Sequence, residues 1–199
     1  MKNSIDREEA VELLKKYVRS KSVYLHSIES EAIMRKVAEF LGAAGKDDSI
    51  DVDFWATTAL LHDLDSEVIG DDLSKHGVET IDILKREGYD IPVMFESILS
   101  HTEALGFTKA ERTTKMDYAL AASENMTGII SAYVKMRPSK KIEGLSAKSI
   151  TKKIKDRSFA ASVNRDFIND VEKHLGMGRS EFVTIAIDAM TEIADQTGM

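Results

Sequence analysis

The residues of this chain best placed to do chemistry are His26, the dipeptide His62–Asp63, His76 and His101; the fifth histidine, His174, falls outside their pattern. The stretch "TTALLHDLD" (57–65) poses the question most sharply. An apolar run ends on a histidine and two aspartates, groups that enter a core only with a partner, a proton or a metal. There is no cysteine, so disulfides and thiolate sites are excluded and a metal would have to sit on His, Asp and Glu. Such a donor set suits Fe, Mn, Zn, Co or Ni. A single histidine after an apolar run is more often a hydrogen-bonded core residue or a helix cap. The set of five residues points to a metal centre.

Helices must bring these residues together. Two prolines, eleven glycines and long stretches of 3.6-residue periodicity predict an all-α protein, and no segment alternates as a strand would. The expected helices are 6–19, 27–43, 51–64, 75–87, 91–101, 109–136, 146–156, 164–175 and 180–196. Asp51 is placed to cap the third, and Thr108 with Glu111 has the spacing of a capping box. Pro92 suits a first turn, and Gly42, Gly88 and Gly176 suit helix stops. On these spans His26 opens one helix, His62–Asp63 close the next, His76 opens the fourth and His101 closes the fifth. Short connections favour antiparallel neighbours, so the four histidines and Asp63 gather at one end of a bundle. The methionines at 34, 94, 116, 126 and 136 and the apolar face of 180–196 read as packing. That last face would also suit a homodimer.

The net charge of −7 argues against nucleic-acid binding by the surface as a whole. The charge is uneven. Residues 135–157 hold nine Lys/Arg against two Asp/Glu, a run that reads as a solvated basic face or as a local anion site. Pro138 marks the one seam, between a core of residues 1–136 and a helical extension, 137–199, packed on the same domain. The N-terminus reads as an amphipathic helix rather than a leader, and the longest apolar stretches are shorter than a membrane span, so the expected location is the cytoplasm.

The sequence resembles the HD-domain superfamily of metal-dependent phosphohydrolases. The likeness runs through "LHSIESEAIMRKVAEFLG" (25–42), "ALLHDLD" (59–65), "KHGVETIDIL" (75–84), "ILSHTEALG" (98–106) and "KMDYALAASENMTGII" (115–130). It looks closest to the small stand-alone bacterial and archaeal members, whose extensions are similar to "RPSKK" (137–141) and "KDRSFAASVNR" (155–165). The resemblance implies that His26, His62 and Asp63 bind one divalent ion, that Asp63 bridges to a second, and that His76 and His101 complete a binuclear site. Fe or Mn is expected first, with Mg, Co, Ni or Zn as alternatives. The family's last ligand is an aspartate; the aligned residue here is Glu124, with Asp117, two helical turns earlier, as its rival.

The implied activity is hydrolysis of a phosphomonoester or nucleotide phosphate by metal-activated water. Asp63 would be central to it. Asp65 and Glu67 are placed to orient water or act as acid and base, or are simply loop carboxylates. Arg137, Lys140, Lys141, Arg157 and Arg165 are candidate phosphate clamps. Two alternatives remain: a catalytically weak module that senses a nucleotide or metal, and an RNA- or partner-binding helical protein using the basic segment.

Overall fold

Every regular element among the described residues is helical. The structure, a computed structural model, describes residues 1–43 and 49–199. Its α-helices are α1 (Arg7–Tyr17), α2 (Lys21–Ala43), α3 (Val52–Leu61), α4 (Val78–Arg86), α5 (Pro92–His101), α6 (Lys115–Met136), α7 (Ala147–Lys155), α8 (Arg165–His174), α9 (Arg179–Glu192) and α10 (Ala194–Thr197), with 3-10 turns at Leu73–Lys75 and Glu103–Leu105. The β pairing among the described residues is one isolated bridge, Lys2 to Tyr89. The all-α class expected from periodicity is what the chain forms.

Several local signals act as the sequence suggests. Asp51 caps α3, accepting from the Phe54 amide at 2.9 Å, and Pro92 sits in the first turn of α5. Gly88 and Gly176, at φ 92° and 60°, follow the ends of α4 and α8 in the left-handed region that only glycine enters cheaply.

Three boundaries differ most from the expectation; α3 also ends at Leu61 rather than 64, and α4 begins at Val78 rather than 75, which leaves His76 ahead of that helix rather than opening it. α2 begins at Lys21, not 27, because Glu67 reaches across from another loop and accepts from the Arg19 and Ser20 amides at 2.6 and 2.5 Å. Those are donors that a helix start leaves unsatisfied. At its other end α2 runs to Ala43, so Gly42 lies inside it rather than ending it. α6 begins at Lys115, and its capping box is Thr114 with Asp117, not Thr108 with Glu111. Residues ahead of it are held away from helix by Arg112, which pairs with Glu103 and with Asp170 of α8 and lies over the Phe167 ring. The expected helix 180–196 breaks at Ile193 into α9 and α10.

Two apolar clusters make the core, and α3 belongs to both. Trp55 and Ala59 belong to a cluster with residues of α2, α6, α7, α8 and α9, whereas Leu60, Leu61 and Leu64 belong to one with residues of α1, α4 and α5. Burying each leucine contributes roughly 1.5–3 kcal/mol, so the far end of α3 is fixed on both sides. That end carries His62 and Asp63. Ile150 and Ile154 of α7, Ile168 and Val171 of α8, and Phe182 and Met190 of α9 share the first cluster with Ile33 and Ile130. Met34, Met94, Met116 and Met126 are buried, but Met136 is exposed, so it is not core filling.

Candidate metal centre

Five elements deliver six side chains to one place. His62 is the C-cap of α3 and Asp63 follows it. His76 ends the turn at Leu73–Lys75, His101 is the last residue of α5, and His26 lies in the second turn of α2. Glu124 comes from the middle of α6. The expectation that His26 opens a helix is thus corrected by a turn or more. Its position still brings it to the end of α3, since α2 packs along α3 and α6.

Asp63 is the hub. Its Oδ1 lies 3.4 Å from Nε2 of His62, 3.4 Å from Nε2 of His76 and 3.5 Å from Nε2 of His101, and its Oδ2 lies 3.5 Å from Nε2 of His26. Nε2 of His26 and His62 are 3.2 Å apart, and those of His76 and His101 are 3.1 Å apart. Donors about 2.1 Å from a shared ion stand roughly 3.0 Å apart in an octahedron and 3.4 Å apart in a tetrahedron. The observed spacings are those of ligand polyhedra, and most exceed a good hydrogen bond. Donor atoms of two overlapping sets, His26–His62–Glu124 and His62–Asp63–His101, fall within 4.8 Å of one another.

The outer nitrogens decide the tautomers. Nδ1 of His62 lies 2.7 Å from the Ala59 carbonyl, and Nδ1 of His101 meets the Ile98 carbonyl. A carbonyl only accepts, so both Nδ1 atoms carry the hydrogen. Nδ1 of His76 lies 2.9 Å from Asp65 Oδ1, again an acceptor. Nδ1 of His26 lies 2.8 Å from the Thr127 hydroxyl, which itself donates to the Glu124 carbonyl at 2.7 Å. With its proton spent there, Thr127 must accept from His26. All four neutral rings therefore turn Nε2 lone pairs inward, the second-shell pattern of metal-ligating histidines.

Lone pairs facing each other at about 3 Å need a positive charge between them, and a proton fits poorly. Burial pushes His62 down to about 3 and also lowers His26, where the opposing pull of Asp63 is outweighed. Burial opposes the charged form of Asp63 as well, yet His62, His101 and His26 together hold its carboxylate well below the usual range. At His76 burial lowers the pKa, but Asp65 and Asp63 more than compensate and raise it. Burial first, and then the charge of Asp63, raises Glu124 well above an ordinary carboxylate. This is a donor set whose charges are unbalanced without a cation, and a divalent ion suits it.

The remaining sequence candidates are spread out. Asp117 spends its carboxylate on the Thr113 and Thr114 amides at 3.1 and 2.8 Å and borders a hollow of ≈ 760 Å³ beside Trp55 and Met116, away from the histidines. Between the two carboxylates on α6, Glu124 is the one that faces them. Asp65 does not stand free: its second oxygen accepts from the Gly77 and Thr80 amides at 2.7 and 3.3 Å, so it caps α4 and orients His76. Glu67, spent on the start of α2, is likewise committed. Arg137 donates to the Lys141 and Glu143 carbonyls, and Arg165, buried, donates to those of Ala160, Val163 and Phe159. Both organise their own loops. Lys141 is exposed, and Arg157 borders a shallow hollow with Asn164 and Asp166. Of the five basic candidates only Lys140 lines the cavity beside His26.

That cavity, ≈ 360 Å³, is bordered by His26, Glu29, Thr127, Ser131, Lys135 and Lys140 among others. Sequence reading passed over Thr127 and Glu29. Their signal was spacing alone: Glu29 is three residues from His26 and Thr127 three from Glu124, each on the same helix face as its neighbour.

A family model described as HD domain matches residues 23–124, a span that holds all six converging residues and ends on Glu124. No curated protein and no solved structure matches the chain. Among the described residues no helix is long and apolar enough to cross a membrane.

Proposed function

The chain belongs to the HD-domain family, typical of metal-dependent hydrolases, and we propose that it is a divalent-metal-dependent phosphohydrolase acting on a phosphomonoester or nucleotide phosphate. The observation that carries this reading is the orientation of four imidazoles, each pinned at Nδ1 and each aiming Nε2 at Asp63. His26, His62, Asp63 and Glu124 would hold one ion, and His76, His101 and Asp63 a second. Bound there, divalent ions supply an acidified water and neutralise charge developing on phosphate oxygens.

The rest falls to the chain's own residues. Asp65 and Thr127 hold His76 and His26 in register. Asp63, ionised and almost enclosed, fixes negative charge at the centre. Lys140 and Lys135, on the wall of the adjoining cavity, hold substrate phosphate in place of the arginines that the sequence pointed to.

Metal analysis of the purified protein, then a phosphatase screen with Mn, Fe, Co, Ni, Mg and Zn, tests the proposal. At least one equivalent of metal and turnover of a phosphoester are expected, and Asp63→Ala should abolish both. Metal bound without turnover on a broad panel would replace the hydrolase by a nucleotide- or metal-sensing module. Protein that takes up no metal, aerobically or anaerobically, would end the metal reading.

A further inference from the structure

α2 buries two glutamates and treats them oppositely. Glu31 is held by Arg7 at 2.9 Å and by Arg35 at 3.8 Å. Glu29, 6% exposed, accepts one hydrogen bond, from the Ser131 hydroxyl at 2.9 Å. No cation contacts it among the described residues, and its other oxygen has no protein partner there. Its surroundings are the ≈ 360 Å³ cavity shared with His26. His26–Thr127 and Glu29–Ser131 form two rungs between α2 and α6, one turn apart on each helix, so Glu29 stands about one turn from the centre. Lys135, one turn beyond Ser131 on α6, and Lys140 also border the cavity, and Lys140 is held in a left-handed backbone, φ 51°. For a non-glycine residue that conformation costs of order 1 kcal/mol and is found preferentially at ligand-gripping sites.

We propose that this cavity receives the alcohol portion of a phosphomonoester, its phosphate lying at the mouth toward His26 within reach of Lys135 and Lys140, and that Glu29 is the acid that protonates the leaving oxygen. The inference rests on the phosphohydrolase reading. In the step, the oxygen of water forms a bond to phosphorus as the bond to the ester oxygen breaks, and the Glu29 proton passes to that oxygen. The water's proton later returns to the carboxylate, so the cycle closes on one ester and one water. The substrate class follows: an acid is needed for an aliphatic alcohol, which leaves poorly as an alkoxide, and hardly at all for an acidic phenol. Burial, partly offset by Ser131 and Lys135, pushes Glu29 up to about 7, the direction that suits a proton donor. The charged or titratable side chains bordering the cavity with it are His26 from its own helix, Lys135 from α6 and Lys140 from the following loop; Thr197, Gly198 and Met199 of the last wall bring no charged side chain.

The test compares Glu29→Gln with the wild type, both loaded with Mn, on a simple alkyl phosphate and on p-nitrophenyl phosphate. With the alkyl phosphate kcat should fall about 10²–10⁴-fold, with nitrophenyl phosphate only a few-fold, and metal content should hold. Glu29→Asp should recover part of the alkyl phosphate rate. Equal losses on both substrates, no loss on either, or loss of metal from the glutamine variant would each overturn the role of Glu29. A wild type that binds metal yet cleaves neither ester fails before any variant is made, and that result falls on the phosphohydrolase reading itself.

Discussion

Replacing Glu29 by glutamine should change the pH dependence of stability even where catalysis is not measured. The ordinary value of this carboxyl is 4.5 and the folded protein raises it to about 7. The folded state therefore binds more protons than the unfolded state between those values, and stability is lost as pH rises through that window. A shift of about 2.5 pH units at ~1.4 kcal/mol each corresponds to about 3–4 kcal/mol. Below pH 4.5 both states are protonated and glutamine imitates the acid, so the two proteins should match. Above pH 7 the wild type bears the full cost of an ionised, buried carboxylate and the variant bears none. Chelated protein is the right sample, because a nearby dication would stabilise the carboxylate. Thermal denaturation from pH 4.5 to 8.5 should show the two proteins level at the acid end and the variant increasingly ahead above it, by roughly 6–16 °C in Tm for a chain of this size. Other titrating groups are common to both proteins and cancel in the difference. A difference that stays flat with pH would mean that Glu29 ionises freely in a wet cavity, and the reasoning about its environment would be refuted.

The two carboxylates of α6 separate cleanly. Glu124→Gln should lower metal content while leaving the fold intact, whereas Asp117→Asn should keep its metal and lose about 1 kcal/mol of stability with its capping box; metal analysis beside urea denaturation reads both. Thr127→Val removes the acceptor that fixes the His26 tautomer, and isothermal titration should show metal affinity 10–100-fold weaker. Gly77→Ala places a side chain at φ 77° with its Cβ 3.1 Å from Thr102 Cγ2; a loss of about 1–3 kcal/mol is expected in denaturant, with no loss implying that the turn into α4 relaxes.

The fold class and the converging histidines were legible because both depend on short-range pattern. An apolar run that stops on His62–Asp63 must bring those residues to the end of a buried helix, and Pro92 and His101 bound α5 in the same local way. What was not legible was set by contacts distant in sequence. Nothing near Arg19 says that Glu67 will cap it, so α2 starts a turn and a half early. Thr108 and Thr114 offer rival capping boxes, and Arg112, tied to Asp170, decides between them. Asp65 looks like a free carboxylate until Gly77 and Thr80 are brought to it. Arg137 and Arg165 look like phosphate clamps, but carbonyls of their own loops take up their guanidinium groups. Glu29 and Glu31 are indistinguishable as letters; two arginines beside one and none beside the other give them different chemistry.

Charge at the centre bears on how many ions a phosphate substrate would need. The four imidazoles donate as neutral ligands, so Asp63 and Glu124 contribute two negative charges when metal is bound. One dication then leaves the centre neutral, and Lys135 and Lys140 alone would draw a phosphate dianion into a protein of net charge −7. Two dications leave +2, which balances that dianion. Attraction of this kind is screened over about 8 Å in physiological salt, so the remote acidic surface matters less than the local sum. Inorganic phosphate should therefore bind weakly at one equivalent of metal and markedly more tightly at two. An affinity unchanged by the second equivalent would assign phosphate binding to the lysines and leave His76 and His101 with a structural part.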